Sequence, residues 1–252
     1  MAAGERLETI RALLTNDGQV SVSDLSRSMS VTEETIRRDL EKLEAEGFLM
    51  RTYGGAVLNE AHRAEDVHFY RRTRRNLAEK RAIALNVLPI LQGKHAIAAD
   101  ASSTVLETIR LIGNREDVSL LTYSAAVFHE LNDPAITIVS PGGQFDKSGL
   151  ALYGRTTIRA ISQYHVDILL LSCKSLSIDG GLRDSRESEA ETKRVLIERA
   201  KEIALLADHS KFDQNAFVPL ADLDRIDYLV TDCEPSDDWK QACCARGVKL
   251  LY

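Results

Sequence analysis

Two groups of side chains in this chain have the chemistry to bind phosphate. The first is a pair of adjacent arginines, Arg37 and Arg38, in a short helical pattern near the N-terminus. The second is a set of hydroxyl, carboxylate and ammonium groups that follow apolar runs further along the chain, with Lys211 as the clearest cation. Guanidinium and ammonium groups bind phosphate oxygens, and the N–H groups of a helix N-terminus add to such a site. The first group therefore needs a helix to present it, and the second needs the edge of a sheet.

The length and composition are those of a globular protein with two domains. At 252 residues, the chain has room for a small domain and one of about 170 residues. Hydrophobic residues make up 44% and charged residues 28%, which is ordinary for a globular protein. No apolar run approaches the roughly 18 residues of a spanning helix, and the N-terminus does not resemble a signal peptide. We therefore expect a cytoplasmic protein without membrane contact.

The cysteines and the net charge limit the possible ligands. The four cysteines have no CxxC or Cys/His spacing, which predicts reduced thiols and no metal site, and no cofactor is expected. The net charge of −6 argues at first against nucleic acid, and the first 75 residues are less acidic than the rest but not basic. Binding to DNA would therefore depend on the local placement of arginines, doubled in a dimer. The cysteines are Cys173, Cys233, Cys243 and Cys244.

The first 57 residues have the order of a winged helix-turn-helix. Residues 5–14 form an amphipathic helical pattern, and Ser23 is a plausible N-cap for a second helix over 24–29. Thr32 is a good N-cap for a third helix, in which Ile36, Leu40 and Leu43 face inward. Such a third helix enters the major groove of DNA in this class of module.

The third helix is followed by a predicted wing. Gly47 is the expected C-cap, and residues 48–51 and 52–53 are expected to be the two strands. The glycines at 54 and 55 would allow a sharp backbone path close to phosphate. The residues expected to contact DNA are Ser23, Thr32, Thr35, Arg37, Arg38, Lys42, Arg51, Tyr53, Gly54 and Gly55.

Two alternatives to DNA contact remain open. An arginine pair on a helix is usually a solvated face, and it indicates DNA only because a capped helix precedes it and a wing follows. Glu33 and Glu34 stabilise the helix dipole or, less simply, accept a hydrogen bond from a cytosine amino group. Residues 58–76 are expected to be a linker, and its arginines at 71–75 are as consistent with solvent as with the DNA backbone.

Residues 77–252 alternate apolar runs with helical patterns, which predicts an α/β domain with a mainly parallel sheet. A helix is expected from Leu77, with Gly93 ending the pattern. The expected strands are 95–99, 119–122, 136–140, 167–172, 203–207, 228–231 and 248–251. The expected helices are 105–112, 125–131, 155–163, 190–200 and 237–246.

Polar side chains follow several of these strands, where parallel sheets bind ligands. Hydroxyls and N–H groups in this position suit an anion, although serine and threonine after a strand are more often simple helix caps. Asp179 is equally consistent with an ordinary turn. The residues expected to bind a small effector are Asp100, Ser102, Ser103, Thr104, Tyr123, Ser124, Gly142, Gly143, Asp179, Glu189, Lys193, Asp208, Ser210 and Lys211.

The run VTEETIRRDL at 31–40, followed by Gly47 and RTYGGA at 51–56, resembles the DeoR-type bacterial transcriptional regulators. The signature of that family has a Thr-Ile-Arg-Arg-Asp-Leu core and a Gly-Gly-Ala wing end. The resemblance covers nearly the whole chain. Thr32 stands where serine is common, and Tyr53 stands where histidine is common; both keep a hydrogen-bonding group.

The resemblance implies an effector domain related in fold to ribose-5-phosphate isomerase and the CoA-transferases, with a phosphorylated sugar or related metabolite as ligand. Three motifs of the family have counterparts in this sequence, and two of them depart from the pattern. Ser102 and Ser103 replace a glycine and a threonine, and Tyr123 replaces an amide, which would reshape the pocket. The counterparts are Asp100, Ser102, Ser103 and Thr104 in the first motif, Tyr123 and Ser124 in the second, and Asp208, Ser210 and Lys211 in the third.

The sequence therefore predicts a DNA-binding repressor of a carbohydrate-use operon that a phosphorylated sugar or related metabolite, such as a sugar acid, releases. The sequence does not show the sign of this coupling, so an effector that strengthens DNA binding is an open alternative. A homodimer or homotetramer would read a roughly palindromic operator. The alternative is a sugar-phosphate isomerase or transferase fused to a winged helix, with Asp100, Asp179, Glu189 and Lys211 available for catalysis. A third possibility is a protein-interaction module that does not bind nucleic acid.

Overall fold

The computed structural model describes residues 3–17, 19–58, 68–131 and 135–252. The chain divides into two compact units, Met1–His68 and Phe69–Tyr252. A winged helix-turn-helix forms the first unit, and the second is built on a parallel sheet, so the predicted fold class is confirmed. Among the helices that the structure describes, none has the length and apolar character needed to cross a membrane.

The described part of the first unit contains three helices and a small antiparallel sheet with strand order β1-β3-β2. Leu14, Leu25, Ile36 and Leu40 come from the three helices and form one apolar core with Leu49 of the sheet. The elements are α1 (Ala3–Asp17), β1 (Gln19–Ser21), α2 (Val22–Met29), α3 (Glu33–Ala45), β2 (Leu49–Thr52) and β3 (Gly55–Leu58).

At the ends of α3, Thr32 is the N-cap as predicted, whereas the C-cap is Glu46 and the predicted Gly47 follows it. The Thr32 hydroxyl accepts a hydrogen bond from the Thr35 N–H at 3.3 Å, as an N-cap does. Gly47 has a φ of +74°, and its N–H donates to the Glu44 carbonyl at 2.8 Å. A left-handed residue at this position ends helices most easily when it is glycine. Local sequence signals therefore determine where α3 begins and ends.

Two predicted details of the first unit are wrong. Helix α2 begins at Val22, so Ser23 lies inside its first turn and Ser21 occupies the N-cap position. At the start of this helix, the Val22 N–H donates to the backbone carbonyl of Gly54, at 2.9 Å, and not to a capping side chain. The second strand of the wing is β3, which pairs with both β1 and β2; Tyr53 lies in the turn before it. The position of this second strand follows from its pairing with both β1 and β2, which the local residue pattern does not reveal.

The second unit is built on a seven-stranded parallel sheet, with strand order β15-β14-β12-β9-β4-β5-β6. All seven strands predicted from the apolar runs are confirmed, with ends shifted by a few residues at most. The strands are β4 (Ala96–Ala99), β5 (Ser119–Thr122), β6 (Thr137–Val139), β9 (Val166–Leu171), β12 (Ala200–Leu206), β14 (Tyr228–Val230) and β15 (Lys249–Leu251).

Helices cover both faces of this sheet. Successive residues of a strand point to opposite faces, and in β9 Ile168 and Leu170 belong to one apolar cluster while Leu169 and Leu171 belong to the other. The continuous apolar runs follow from this arrangement because neither face contacts water. The helices are α5 (Leu77–Val87), α6 (Ser103–Ile112), α7 (Ala125–Glu130), α8 (Arg155–Ile161), α9 (Glu187–Arg199) and α10 (Asp237–Ala245). Single 3₁₀ turns lie at Leu88–Leu91, His209–Lys211 and Leu223–Arg225.

Several short elements were not predicted. Two antiparallel sheets accompany the main one, with orders β7-β8 and β10-β11-β13. Part of the predicted linker is helix α4 (His68–Arg74), and the second unit begins at Phe69, before the expected start at residue 77. Phe69 is buried in the core of the second unit, so a tertiary contact holds this helix. The additional strands are β7 (Gln144–Asp146), β8 (Ala151–Tyr153), β10 (Ser175–Ser177), β11 (Gly181–Asp184) and β13 (Val218–Ala221).

Candidate DNA-binding surface and effector site

Helix α3 presents the predicted arginine pair to solvent. The side chain of Arg37 is 47% exposed and that of Arg38 is 74% exposed. Each lies near a glutamate of the first helical turn: Arg37 is 2.7 Å from Glu33, and Arg38 is 3.6 Å from Glu34. Ion pairs this exposed contribute little to stability and exchange readily for phosphate partners. The two glutamates therefore hold the arginines along the helix without burying them.

The next residue, Asp39, has a structural role that the sequence analysis did not recognise. Its carboxylate is buried and accepts hydrogen bonds from Arg6 at 2.5 Å and 3.3 Å. Arg6 belongs to α1, so this ion pair joins α1 to α3. In the Arg-Arg-Asp sequence, the two arginines face solvent and the aspartate orients the helix that carries them.

The wing has one residue tied to α3 and one fully exposed residue at its tip. Arg51 bonds the Glu41 carboxylate at 2.9 Å, and its N–H donates to Glu44 at 3.1 Å. Tyr53 is fully exposed in the turn. Among the other predicted contacts, Lys42 is exposed and Ser23 is half-buried beside Ser21.

The two wing glycines differ in their surroundings. A Cβ on Gly55 would lie 1.9 Å from the carbonyl oxygen of Val20, because β1 passes directly beside it. A Cβ on Gly54 would have no atom of the described residues within 4 Å. The packing of β1 on β3 therefore requires glycine at position 55, whatever the DNA requires.

In the second unit, Asp100 joins the carboxyl ends of two adjacent strands. One carboxylate oxygen accepts from the Ser102 N–H at 2.9 Å, and the other accepts from the Ser172 N–H at 2.8 Å. Ser102 is the N-cap of α6, and Ser103 and Thr104 are buried in the first turn of that helix. A helix therefore begins after β4 at the predicted hydroxyl residues, whereas its use as an anion site stays a prediction. Ser172 after β9 was not predicted.

The motif after β12 contacts the same strand ends. The Lys211 ammonium donates to the Ser172 hydroxyl at 2.9 Å and to the Cys173 carbonyl at 2.8 Å. Asp208 is buried, and one of its oxygens accepts from the Ser210 hydroxyl at 2.5 Å and from Asn76 at 3.0 Å. The structure thus brings Asp100, the start of α6 and the Asp208–Lys211 segment to one edge of the sheet. Asn76 was not predicted.

Lys193 is the centre of a buried charge cluster on the same edge. Its ammonium lies 2.8 Å from Asp184, 3.1 Å from Glu189 and 3.3 Å from Asp100. Burial by itself lowers the pKa of Lys193, but the three carboxylates outweigh it and hold that pKa well above its usual value. Burial raises the pKa of Asp184. Burial also acts to raise the pKa of Glu189, but the charges of Lys193, Arg72 and Arg186 together outweigh it and lower that pKa. Glu189 and Lys193 were predicted from the sequence, whereas Asp184, which ends an unpredicted strand, was not.

Tyr123 and Ser124 follow β5, the next strand of the sheet. The Ser124 N–H donates to the Thr122 hydroxyl at 3.1 Å. The Tyr123 ring is completely buried and lies 5.8 Å from the ring of Tyr153, centre to centre. Burial raises the pKa of Tyr123 well above its usual value, and the charges of Lys193 and Asp100 also act on that pKa. The phenol is therefore neutral and lies beside the buried charge cluster.

Other predicted effector residues have local structural roles. Gly142 and Gly143 have φ values of +67° and +128°, and a Cβ on Gly143 would lie 2.0 Å from the Thr157 hydroxyl oxygen. This loop follows β6 at the edge of the sheet, two strands from β4. Asp179 is exposed in the turn between β10 and β11, so its interpretation as a turn residue is favoured over an effector contact.

His209, which was predicted to have no functional role, is exposed and forms an ion pair with the largely buried side chain of Asp232. Its ring nitrogen Nδ1 lies 2.7 Å from Asp232, and this hydrogen bond raises the pKa of His209. The Cys233 sulfur completes a group whose ligand atoms lie within 4.8 Å of one another. No metal site was predicted from the sequence, and the spacing of these residues along the chain does not reveal this group.

An exposed pair of arginines on a capped helix beside a wing is typical of a DNA-binding protein, and a cluster of polar groups at the ends of parallel strands lies where such sheets bind ligands. A family model for the DeoR-like helix-turn-helix domain matches residues 6–62, and one for the DeoR C-terminal sensor domain matches residues 75–233. The chain belongs to the DeoR family of transcriptional regulators.

Relatives cover nearly all of the chain. It is 36% identical to the uncharacterized HTH-type transcriptional regulator YulB of Bacillus subtilis, over 92% of this chain and 90% of that protein. It is 31% identical to the HTH-type transcriptional repressor GlcR of the same species, over 98% and 95%. Among solved structures, a D-ribose-5-phosphate isomerase in complex with phospho-erythronic acid matches 53% of this chain and 52% of its own, with a TM-score of 0.40 and 16% identity. The predicted family is confirmed, and the family is one of regulators, so the chain is not assigned as an enzyme.

Proposed function

We propose that this chain is the repressor of a carbohydrate-use operon and that a phosphorylated sugar releases it from DNA. The observation that carries the proposal is the presence of two cationic groups in one chain, the solvent-facing arginines of α3 and the ammonium of Lys211 at the sheet edge. The repressor GlcR, similar over 98% of this chain, supports repression as the sign of regulation. As a regulator of chromosomal genes, the protein acts in the cytoplasm.

The proposed DNA contacts are those of α3 and the wing. Arg37 and Arg38 contact the operator from α3, and Tyr53 at the wing tip contacts the backbone. A symmetric dimer or tetramer presents two such helices, so the operator is roughly palindromic, with half-sites about one helical turn or a multiple apart. Light scattering of the purified protein measures the oligomeric state directly.

Replacing Arg37 and Arg38 together by alanine tests the DNA surface. We expect operator affinity to fall at least about 100-fold and the salt dependence to weaken, because about two phosphate or base contacts are lost. The melting temperature stays nearly unchanged, because exposed ion pairs contribute at most about 1 kcal/mol each. Fluorescence anisotropy with DNA from upstream of the gene measures the operator affinity and its salt dependence, and calorimetry measures the melting temperature.

The matched control is the double variant Arg155→Ala/Arg159→Ala, which removes the same charge from exposed positions of α8. It should bind the operator as the parent does. Equal losses in both variants would show that net charge alone governs binding, and unfolding of the first variant would show that the α3 arginines are structural.

Replacing Lys211 by alanine tests the effector site. The ammonium is the proposed phosphate contact, so the variant should bind the operator normally and need at least about tenfold more effector for release. Lys201→Ala is the control, because Lys201 is exposed at the opposite end of β12. Titrating protein–DNA complexes with a panel of sugar phosphates measures the response. An unchanged response in the Lys211 variant would show that Lys211 does not bind the phosphate of the effector.

A further inference from the structure

We propose that His209, Asp232 and Cys233 form a binding site for a divalent transition-metal ion and that Zn²⁺ is the ion that suits it best. None of the three residues is among the proposed DNA or effector contacts, so the inference does not depend on the proposed function. Three protein ligands leave one coordination position of a tetrahedral ion for water or another small ligand from solvent.

The first observation is that the order of the strands brings the three residues together. His209 lies in the 3₁₀ turn after β12, and Asp232 and Cys233 follow β14. The two strands are parallel neighbours, with Leu206 beside Val230. The loops after neighbouring parallel strands lie at one edge of the sheet, so residues that are 23 positions apart meet there.

The second observation is the geometry of the three ligand atoms. Nδ1 of His209, a carboxylate oxygen of Asp232 and the sulfur of Cys233 all lie within 4.8 Å of one another. The shortest known separation is 2.7 Å, between Nδ1 and Oδ2. A tetrahedral ion with bonds of about 2.0–2.3 Å holds its ligand atoms about 3.3–3.8 Å apart. Shifts of about 1 Å therefore bring all three atoms to bonding distance.

The third observation is that Asp232 is held in place by groups that are not metal ligands. Its Oδ1 accepts from the backbone N–H of His209 at 2.8 Å and from the Thr231 hydroxyl at 3.3 Å. Oδ2 is therefore the oxygen that binds the metal, while Oδ1 keeps the hydrogen bonds that orient the carboxylate. Metal ligands in proteins are commonly oriented by such outer hydrogen bonds.

The site is open to solvent, so an ion needs no cavity to reach it. The side chain of His209 is 57% exposed, and Cys233 is also exposed. Only the Asp232 side chain is buried, with 7% of it exposed. The two exposed side chains can therefore adjust around an ion, whereas the carboxylate stays fixed.

The charges around the imidazole favour a cation. The hydrogen bond to Asp232, together with the charges of Asp232, Asp208 and Glu79, raises the pKa of His209. Lys211 belongs to the same turn, but its ammonium donates to two groups that follow β9. Carboxylates in this position attract a metal cation as well as a proton.

The chemistry of the ligands decides the class of ion. An imidazole nitrogen, a thiolate and a carboxylate together suit Zn²⁺ and similar borderline ions. Mg²⁺ and Ca²⁺ prefer oxygen ligands alone, so this set excludes them. On binding, the metal replaces the proton shared by Nδ1 and Oδ2 and the proton of the thiol, and both protons pass to solvent.

Cobalt binding tests the thiolate ligand. The full chain without a tag is kept reduced, freed of metal with a chelator and titrated with Co²⁺, because a Co²⁺–thiolate bond gives a charge-transfer absorption band in the near ultraviolet. We expect the band to saturate at a single Co²⁺ per chain and to disappear when excess Zn²⁺ is added. The melting temperature should rise with Zn²⁺ by mass action and stay unchanged with Mg²⁺.

Cys233→Ser and its control Cys244→Ser separate this site from the other thiols, because both cysteines are exposed. The first variant should lose the charge-transfer band and bind Zn²⁺ at least about tenfold more weakly, since loss of a ligand costs at least as much as loss of an outer hydrogen bond. The second should match the parent. Calorimetric titration measures the Zn²⁺ affinity, and melting curves without metal verify that both variants fold.

His209→Gln tests the second ligand in the same way. It should also weaken Zn²⁺ binding at least about tenfold, because a side-chain amide is a poor ligand for this ion. The control is His165→Gln, at an exposed position of the same unit, which should keep the affinity of the parent.

Several results would refute the metal site. One is a parent chain that gives no charge-transfer band with Co²⁺ and no heat of binding with Zn²⁺. Another is a band that persists in Cys233→Ser, or a Zn²⁺ affinity that changes in neither Cys233→Ser nor His209→Gln, since the ion would then bind elsewhere. An equal rise in melting temperature with Mg²⁺ would refute the proposed class of ion.

Discussion

Neighbouring side chains in this protein often have opposite roles, because a helix or a turn points them in different directions. Arg38 extends into solvent, whereas the adjacent Asp39 is buried against Arg6. Likewise His209 is exposed, whereas Asp208 before it is buried against Ser210 and Asn76. Substituting the exposed residue of such a pair should therefore mainly affect binding, whereas substituting its buried neighbour should mainly affect stability.

The His209–Asp232 ion pair predicts a pH dependence of stability. The hydrogen bond to Asp232 raises the pKa of His209 above the value of about 6.5 in the unfolded chain. The stabilisation is therefore fully present below about pH 6.5 and is lost as the pH rises through the raised pKa. His209→Gln should lower the melting temperature by about 2 °C at pH 5.5 and by less at pH 8.5, since the His209 side chain is exposed.

Differential scanning fluorimetry at the two pH values measures this difference. The control is His165→Gln, because His165 is also exposed and lies in the same unit. The pH argument would be wrong if His209→Gln destabilised the protein more at pH 8.5 than at pH 5.5, or if both variants gave the same pH dependence.

At the scale of elements, the wing depends on a close approach between β1 and β3. Gly55→Ala would place a methyl group 1.9 Å from the Val20 carbonyl oxygen, so the two strands must separate. We expect this variant to lower the melting temperature of the first unit and to weaken operator binding at least about tenfold, because the wing is displaced.

Gly54→Ala is a matched control for this prediction. The added methyl group would meet no atom of the described structure within 4 Å, so stability should stay near that of the parent. Circular dichroism melting curves and DNA titrations of the two variants provide the comparison. If the two substitutions had equal effects on stability and on operator binding, the packing of β1 on β3 would not be the reason for glycine at position 55. The approach of the DNA backbone to the wing would then be the reason for both glycines.

The edge of the parallel sheet is likewise built from several elements. Asp100 after β4, Ser172 after β9 and the Asp208–Lys211 segment after β12 meet because β12, β9 and β4 are consecutive in the sheet. The carboxyl ends of parallel strands point the same way, so their following loops share one edge. Strand order therefore brings together residues that are more than a hundred positions apart.

At the scale of the whole molecule, helix α4 opens the second unit, and the residues that follow it contact the proposed effector site. Asn76 follows α4 and donates to Asp208 at 3.0 Å and to the Ser210 hydroxyl at 3.1 Å. Lys80 donates to the carbonyl groups of Arg72 and Arg75 at the end of that helix. Burial, with the charge of Lys211, lowers the pKa of Lys80 to about 8. A phosphate on Ser210 and Lys211 would compete with Asn76 and alter this anchoring.

Asn76→Gly should therefore weaken the coupling between effector and operator. Asn76 has a φ of +52°, which glycine adopts easily, so the substitution removes the amide without straining the backbone. We expect the loss of operator affinity on adding effector to shrink at least about fivefold, which lies within the usual range of coupling. Anisotropy of labelled operator DNA with and without the effector measures it.

The control for this prediction is Asn114→Gly, a substitution in an exposed turn of the same unit. It should leave the response unchanged. A full response in Asn76→Gly would show that the signal does not pass through the contacts of Asn76 with the Asp208 motif.

The sequence by itself determined the elements whose signals are local. The seven strands of the parallel sheet were predicted because burial on both faces makes each an apolar run between turn residues. Thr32 and Gly47 were predicted as caps because a cap acts on backbone groups only a few residues away. The DeoR family was also predicted, since its arginine pair and wing lie within one short segment.

Only the tertiary structure decided which distant residues meet. Asp184 and Asn76 join the proposed site because a short antiparallel strand and a helix end lie beside the parallel sheet. Gly55 is required because β1 passes next to β3, and α4 forms because Phe69 is buried in the core of the second unit. These contacts depend on packing between segments far apart in the chain, which the residue pattern of each segment does not encode.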